Sequence, residues 1–433
     1  MSDPVLEATA EDLPNRPETG FAGEARMAGV IFARLFPNSA EPLRGVFVAE
    51  QLCATRAAVD WAVVAPVPWI PRALAGPLGK PYVAGDTRRD GVPVMHPHYP
   101  VLPRRWLYAT AAGLIARTAA PAFRRACDAV GAAFVHAHDL YPSGAAARRL
   151  CARAGLPYVL TVHGSDLYSN LGNPRWRAEI QQAALGAQAV ACVGSRLARD
   201  CIAELGIPAE RTIVIPDTYD AERFSFVERP ERSGATRLVC VGRLSHEKGH
   251  DVLLRALADL RARGVDATLR LVGDGPERGA LESLSNNLGL ADAVAFAGPL
   301  VNDRLGEVLA AADAFVLPSR AEGFGVALVE AMATGLPVVA TRSGGPEDIV
   351  LPDDGVLVTA DDPRALADGI EALIAKRADY DSRAIAARAH RRFSPEAVGA
   401  RLIRLYAEVL AGNAISGAVS ESAPEILEAG GGQ

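Results

Sequence analysis

Short apolar runs alternate along the chain with longer segments of helical period. The runs are rich in Val, Ala, Leu and Phe and close on Gly, Ser, Pro or a charged residue, as at 133–138, 158–164, 189–195, 237–243, 268–275, 293–299, 314–319 and 336–342. Such runs are typical of parallel strands covered on both faces. Intervening segments, such as 250–264, keep apolar residues three and four positions apart, as amphipathic helices do. The alternation predicts an α/β fold built from βαβ units.

This alternation stops in the charged segment 223–237 and then starts again, which indicates two domains. We predict two Rossmann-like, doubly wound domains at 26–215 and 216–395. A last helix at 396–412 is expected to pack back on the N-terminal domain, with Ser394 as its N-cap and Pro395 at its first position. Residues 1–25 and 413–433 lack periodicity and are predicted to be disordered tails.

Composition narrows the function classes. The 433 residues carry a net charge of −6 with 49% hydrophobic and 22% charged residues, which suits a globular protein and gives no reason to expect nucleic-acid binding. No apolar run reaches the length of a membrane span, and the acidic start does not resemble a signal peptide. A cytoplasmic protein is the default expectation. Six scattered cysteines lack metal-ligand spacing, so we expect buried thiols.

The segment 319–350 carries the most chemistry. A strand ends before Glu322, and a glycine-rich turn then leads into a helix predicted to begin near Val326. Amides at such a helix start suit a phosphate. Glu322 in the turn and Glu330 on the helix could each grip vicinal hydroxyls of a ligand. The alternative is a surface acid followed by an ordinary helix-face acid, but Glu330 lies among apolar residues and would need a partner there.

A second loop, 242–249, follows a strand at the end where α/β proteins bind ligands. Arg243 supplies a rigid fork of donors and Lys248 a mobile point charge, a pair suited to a diphosphate leaving group. Solvated loop cations are the equally open alternative. Lys248 is one of only three lysines among the 45 basic residues. The nearby sequence LVGDGPERG departs from dinucleotide-binding spacing, so we interpret it as a tight turn bordering a nucleoside pocket.

In the N-terminal half, His163 stands where a strand stops beside Gly164 and is the preferred functional histidine; His136 and His138 are weaker candidates. His96 and His98 lack a third metal ligand and are assigned to a Pro-rich loop. Segment 99–125 is rich in Arg and aromatic residues. It could lie on an anionic membrane surface or be an ordinary Arg-decorated helix.

Together these motifs resemble the retaining glycosyltransferases of family four. The resemblance rests on VGRLSHEKG, LVGDGP, VAFAGPL and EGFGVALVEAMATGLPVVATRSGGPEDIV in the second half, which cover nearly all of the C-terminal domain. FPNSAEPLRGVFV, FVHAHDLYPSGAAA and LTVHGSDL resemble more loosely the branch that serves bacterial exopolysaccharide, teichuronic-acid-like and lipopolysaccharide assembly. The resemblance implies the GT-B fold, with the two domains facing a central cleft.

The resemblance also implies roles for particular residues. The donor would be a UDP- or GDP-sugar and the acceptor a glycan or lipid-linked saccharide at the inner face of the cytoplasmic membrane, without metal or cofactor and with retention of configuration. Catalytic roles would fall to His163, Arg243, Lys248 and Glu322. Donor-binding roles would fall to Gly45, Gly242, Arg243, Lys248, Phe324, Gly325, Val326 and Glu330.

Two departures from the family pattern stand out. Where members commonly carry Asn-Gly-Val-Asp, this chain has Asp217-Thr218-Tyr219-Asp220, and Ser143 replaces a frequent Asp. The first change predicts a different loop. Three other functions stay open: a GT-B epimerase or phosphorylase, a glycosidase that uses Glu322 and Glu330 as its carboxylate pair, and a non-catalytic sugar-nucleotide sensor.

Overall fold

The structure, a computed structural model, describes residues 26–42, 44–69, 83, 85–101, 110–168, 171–229, 234–300 and 304–419. The first domain is built on a sheet in the order β10-β9-β8-β7-β1-β2-β5-β4, parallel except for the β4–β5 pair. Its strands are β1 (Met27–Phe32), β2 (Val59–Val64), β4 (Thr87–Arg89), β5 (Val92–Met95), β7 (Phe134–His138), β8 (Tyr158–Val162), β9 (Ala189–Cys192) and β10 (Thr212–Val214); β3 (Val67–Trp69) and β6 (His98–Pro100) pair separately.

Helices cover both faces of this sheet, so its central strands are buried along their whole length. They are α1 (Val46–Thr55), α2 (Ala111–Val130), α3 (Ala145–Ala154), α4 (Ser165–Tyr168), α5 (Pro174–Gly186) and α6 (Ser195–Leu205). The segment Leu140–Gly144, in which Tyr141 has extended backbone angles (φ −146°, ψ 134°), leads from β7 into α3. This domain is therefore a doubly wound α/β unit, as the apolar runs predict.

The second domain has a fully parallel sheet in the order β13-β12-β11-β14-β15-β16. Its strands are β11 (Thr236–Val241), β12 (Ala267–Val272), β13 (Val294–Gly298), β14 (Ala314–Leu317), β15 (Val338–Thr341) and β16 (Gly355–Val358). Its helices are α7 (His250–Ala262), α8 (Arg278–Asn287), α9 (Arg304–Ala311), α10 (Val326–Ala333), α11 (Pro346–Ile349), α12 (Pro363–Ala375) and α13 (Ser382–Phe393). Helices α7 and α10 begin at the positions that the sequence predicts.

The last helix, α14 (Pro395–Ala411), lies on the first domain. Ser394 accepts a hydrogen bond from the Ala397 amide and so caps the helix. The helix crosses α1 at Gly399, where an added Cβ would lie 2.3 Å from the Ala54 carbonyl oxygen. Its apolar residues join those of α1 in one core cluster. The helix thus returns the chain to the N-terminal sheet after the second domain is complete.

The expected disorder of 413–433 is wrong for its first part. Ala418 forms a bridge with Ile213, and the Val419 amide donates to the Thr212 carbonyl oxygen at 2.8 Å. The reason is that β10 is an edge strand whose backbone groups would otherwise lack partners. Residues 1–25 and 420–433 lie outside the described residues.

Candidate functional site

The turn that carries Lys248 lies against the end of β14. Lys248 closes a short 3₁₀ turn, and Gly249 then adopts φ 64°. A Cβ on Gly249 would lie 2.1 Å from the Pro318 carbonyl oxygen, so only glycine permits this close approach. Lys248 Nζ consequently reaches Glu322 Oε2 at 2.6 Å, and the Ser319 hydroxyl donates to the same oxygen at 3.0 Å. Lys248 and Glu322, which are far apart in sequence, therefore form one partly buried ion pair.

The LVGDGP segment packs against the start of loop 242–249. Gly273 has φ 135°, and a Cβ there would lie 1.9 Å from the Gly242 carbonyl oxygen. A Cβ on Gly275 would lie 2.3 Å from the Leu244 carbonyl oxygen. The two glycines let this segment pack against the 242–244 backbone, which agrees with a tight turn rather than a dinucleotide-binding loop.

Arg243 follows Gly242 in this supported loop and is exposed. In the described part of the chain its guanidinium has no hydrogen-bond or ion-pair partner. It does act on Glu247, whose pKa is lowered first by the Ser245 hydroxyl and then by the charges of Arg243 and Lys248. The loop therefore holds one cation already paired with a carboxylate and one available to an anion.

The Glu322-Gly-Phe-Gly turn is fixed by its backbone. The Glu322 amide donates to Ser343 and its carbonyl accepts from Gly345. Phe324 is buried against Phe393 with ring centroids 5.6 Å apart. These contacts make the turn rigid, which suits a binding element.

Gly325 has φ 111° and stands immediately before α10, which starts at Val326. Within the residues that the structure describes, the amides of Phe324, Gly325 and Val326 have no hydrogen-bond acceptor. A helix start with unsatisfied amides attracts anions. The three amides form the element for which the sequence predicts phosphate binding, and that role stays a prediction.

Glu330 lies on α10, half-buried and with no ion-pair partner within the described ranges. Burial raises its pKa to about 7; the Arg223 guanidinium opposes this shift, whereas the Asp220 and Glu50 carboxylates add to it. The sequence analysis requires a partner for this acid, and the Arg223 guanidinium fills that role only through its charge, without a direct contact. A carboxyl group in this state is suited to ligand hydroxyls.

His163 stands directly after β8, as predicted. Its Nε2 lies 3.2 Å from His138 Nδ1, its Nδ1 lies 3.6 Å from Asp217 Oδ1, and the Phe47 ring packs on it with centroids 4.4 Å apart. Burial lowers the pKa of His163, but the nearby carboxylates, Asp217 first, outweigh it and the net shift is upward.

Sequence reasoning missed the partner Asp217. The replacement of the common Asn-Gly-Val-Asp sequence drew attention to position 217. It predicted a changed loop, however, and not a contact with a histidine.

The two halves of the site touch. A Cβ on Gly323 would lie 2.2 Å from the His163 carbonyl oxygen, and one on Gly194 would lie 3.0 Å from the Gly323 carbonyl oxygen. The Ser195 amide and hydroxyl both donate to Asp348 across the same junction, each at 2.5 Å. His163 of the first domain is thus brought beside the Glu322 turn of the second, at the carboxyl ends of both sheets.

Gly45 adopts φ 65° just before α1, and a Cβ there would lie 2.3 Å from the Leu35 carbonyl oxygen. This close approach sets the start of α1, whose Phe47 contacts His163. Gly45 is therefore part of the support of His163. Its expected proximity to donor phosphates stays a prediction.

Other candidates have structural surroundings. His136 forms hydrogen bonds with the Thr161 hydroxyl at 2.7 Å and the Tyr406 hydroxyl at 2.8 Å beneath the site, and burial lowers its pKa to about 3. The loop assignment holds for His96, which lies between β5 and β6 and is buried against Ala65, but it is wrong for His98, which begins strand β6. Apolar side chains on both sides of this segment draw it into the fold. Residues 102–109 of the proposed membrane segment lie outside the described residues.

Two absences among the described residues bear on the site. These residues contain no group of three or more His, Cys, Asp or Glu side chains arranged to hold a metal ion. They also contain no helix with both the length and the apolar character needed to span a bilayer.

Family models match the two halves of the chain: Glycosyltransferase Family 4 at 37–223 and Glycosyl transferases group 1 at 222–392. The chain is a GT-B glycosyltransferase. This glycosyltransferase is 29% identical over 353 residues to TuaC of Bacillus subtilis, named for teichuronic acid biosynthesis, with 78% of this chain and 86% of that protein covered.

Two further similarities support the assignment. The glycosyltransferase is 33% identical to the GDP-mannose-dependent alpha-(1-6)-phosphatidylinositol monomannoside mannosyltransferase of Mycolicibacterium smegmatis, over 54% of this chain and 64% of that protein. In fold it is similar to a sucrose-phosphate synthase of Thermosynechococcus elongatus, with a TM-score of 0.73, 21% identity, and 90% and 100% of the two chains covered. Its fold is thus GT-B, two Rossmann-like domains, as the resemblance implies.

Proposed function

We propose that this glycosyltransferase moves a hexose from a UDP- or GDP-sugar, with retention and without a metal, to a lipid-linked or growing bacterial polysaccharide. The observation that carries the proposal is the Lys248–Glu322 pair beside the unpaired Arg243. A cation for a diphosphate and a carboxylate for sugar hydroxyls are adjacent there, which is the arrangement that a nucleotide-sugar bond requires.

The contacts support a sequence of binding events. A donor diphosphate would meet Arg243 first, because that guanidinium is exposed and unpaired within the described chain. Its second phosphate would compete with Glu322 for Lys248, whose ammonium is compact and mobile. Displaced from Lys248, Glu322 would accept hydrogen bonds from hydroxyls of the hexose, still held by Ser319.

The remaining donor contacts follow from the helix start and from α10. The amides of Phe324, Gly325 and Val326 would bind phosphate or sugar oxygens. Glu330 would accept the ribose hydroxyls, and His163 would face the hexose from the first domain. As the bond to the sugar breaks, Arg243 and Lys248 would stabilise the charge that develops on the leaving diphosphate.

The acceptor class rests on the relatives. TuaC is named for teichuronic acid biosynthesis and the mycobacterial relative for a mannosylated phosphatidylinositol. Both names imply saccharide acceptors of the cell envelope for those proteins, and we extend this class to the present chain. Peripheral contact with the inner face of the cytoplasmic membrane would follow from such an acceptor.

The test is a transfer assay with a panel of UDP- and GDP-sugars and a bacterial membrane extract, with products followed by mass shift. We expect one donor to give a glycosylated product in the presence of EDTA, with the α-anomer conserved by NMR when an α-linked donor is used. Lys248→Ala should abolish transfer. A folded sample that neither binds nor transfers any donor would overturn the proposal.

The same assay separates the rival functions. Dependence on free phosphate would indicate a phosphorylase, and donor conversion without a glycosylated acceptor an epimerase. Cleavage of oligosaccharide without nucleotide would indicate a glycosidase. Donor binding without turnover on any acceptor would indicate a sensor.

A further inference from the structure

Four buried side chains connect the interdomain segment after β10 with the end of β7. Gln51 Nε2 donates to Asp217 Oδ1 at 3.0 Å, and the same oxygen lies 3.6 Å from His163 Nδ1. On the far side of the ring, His163 Nε2 lies 3.2 Å from His138 Nδ1. Gln51, Asp217 and His138 are at most 5% exposed. Water therefore cannot screen the charges within this chain of residues effectively.

Asp217 is the carboxylate that lies within ion-pair distance of His163. Asp166 also acts on the ring, but its oxygens accept from the amides of Gly164 and Leu140 and so stabilise the local turn. Asp139 acts from the end of β7, where its own pKa is raised to about 6, chiefly by burial. Of the three carboxylates, Asp217 is thus placed to control the ring directly.

The groups that face His163 come from every surrounding element. Strand β7 contributes His136 and His138, and Asp139 follows it. Helix α4 contributes Asp166, the interdomain segment Asp217, and α1 the Gln51 amide and the Phe47 ring. The charges of Arg34 and Arg44 act on Asp139. Burial holds the pKa of His136 and His138 below the ordinary value. His163, with its carboxylates, is shifted in the opposite direction.

We propose that Asp217 is a positioning residue which, anchored by Gln51, fixes the orientation of the His163 ring beside the Glu322 turn and stabilises its protonated form. The protonated ring directs Nδ1–H to Asp217 and Nε2–H to His138 Nδ1. His138 then keeps its own hydrogen on Nε2, a buried atom without an acceptor in the described residues.

This inference rests on the proposed function only where turnover is measured. Asn at 217 is the informative substitution, because its oxygen can still accept from Gln51 while the charge is lost. It is also the residue that the resembled family commonly carries at this position. Asp217→Glu retains the charge and provides a rescue variant.

The primary experiment is NMR titration of the ¹⁵N-labelled histidine rings in the full-length protein, with His163 assigned by loss of its signals in His163→Asn. We expect the pKa of His163 to fall in Asp217→Asn and to stay raised in Asp217→Glu. At a pH above the pKa, each unit by which the pKa falls lowers the protonated fraction of His163 about tenfold. The descending limb of kcat/KM should therefore move to lower pH in Asp217→Asn.

Asp128→Asn, the same change on an exposed α2 residue, is the control and should alter neither readout. Gln51→Ala releases Asp217 from its anchor but keeps its charge, so kcat should fall at all pH values while the pKa of His163 stays raised. An unchanged titration in Asp217→Asn, or an equal loss of activity at every pH, would overturn the proposal. The titration needs no substrate, so it remains decisive even if the proposed transfer fails.

Discussion

Lys248 and Glu322 form a 2.6 Å ion pair at the junction of the two binding loops of the second domain. The Lys248 side chain is 26% exposed and the Glu322 side chain 11%, so the pair lies at the rim of the site and a ligand can reach it. An anion that takes Lys248 releases an acceptor for hydroxyls at the same place. Under the proposed function, this one pair of side chains would couple the binding of phosphate and of sugar.

The ion pair predicts that Lys248→Arg damages turnover although it preserves charge. A planar guanidinium cannot take the place of the ammonium between Glu322 and the tightly packed Gly249 turn, and it cannot follow a departing phosphate as a point charge can. We expect kcat to fall by about tenfold to a hundredfold, by comparison with the loss of other preorganised charge-stabilising donors. Steady-state kinetics with a saturating donor would measure the change.

Lys376→Arg is the matched control, because Lys376 is exposed at the end of α12. It should leave kcat within about twofold, as substitutions away from a functional contact usually do. Full activity in Lys248→Arg would contradict the special role of this lysine.

Glu330 predicts a trade between stability and binding. Its folded pKa is about 7 against an ordinary 4.5, so the folded protein binds the proton more tightly than the unfolded chain. Stability is therefore highest below pH 4.5 as far as this group is concerned, and declines as pH rises toward 7. Glu330→Gln removes that decline and should stabilise the protein on the order of 2 kcal/mol at pH 8.

Urea unfolding of both proteins at pH 4 and pH 8 would measure this difference, which should nearly vanish at pH 4 because the carboxyl is then mostly protonated in the folded and the unfolded state. Donor affinity, measured by calorimetry, should fall at the same time, because an amide accepts ribose hydroxyls less well than a carboxylate. If Glu330→Gln destabilises the protein at pH 8, burial is not what governs this side chain.

Local patterning was sufficient for strands β11 to β15 and for the starts of α7, α10 and α14, because apolar period and capping residues are properties of neighbouring residues. Strand β16 was not predicted. Lys248 and Glu322 were each predicted to lie in a functional loop, but the contact between them was not predicted. The Asp217–His163 contact was not predicted, because it depends on how the interdomain segment returns past β8. The pairing of Val419 with Thr212 was missed for a similar reason, since an edge strand recruits whichever segment passes it.

The conformation of loop 242–249 is predicted to depend on the absence of a side chain at Gly273 in the LVGDGP turn. Gly273→Ala would place a methyl group 1.9 Å from the Gly242 carbonyl oxygen in a left-handed conformation. We expect a loss of about 2–4 kcal/mol from overpacking and backbone strain. Donor binding should weaken as well, because the methyl group displaces the backbone that carries Arg243.

Gly279→Ala provides the comparison in the same segment, because nothing lies within 4 Å of the added Cβ. Differential scanning calorimetry should show a large fall in Tm for the first variant and little change for the second. Similar melting curves would show that the turn can move away at low cost.

Asp348 predicts a dependence of domain contact on one carboxylate. It accepts from the amide and the hydroxyl of Ser195 at the start of α6, and thus caps a helix of the other domain. Asp348→Ala should cost about 1–2 kcal/mol in denaturant unfolding, the usual loss for a helix cap. It should also raise the radius of gyration in X-ray scattering and raise KM for the donor more than it lowers kcat. Asp353→Ala, at an exposed nearby position, should change neither quantity. An unchanged radius of gyration and KM in Asp348→Ala would show that the contact between the domains does not depend on this carboxylate.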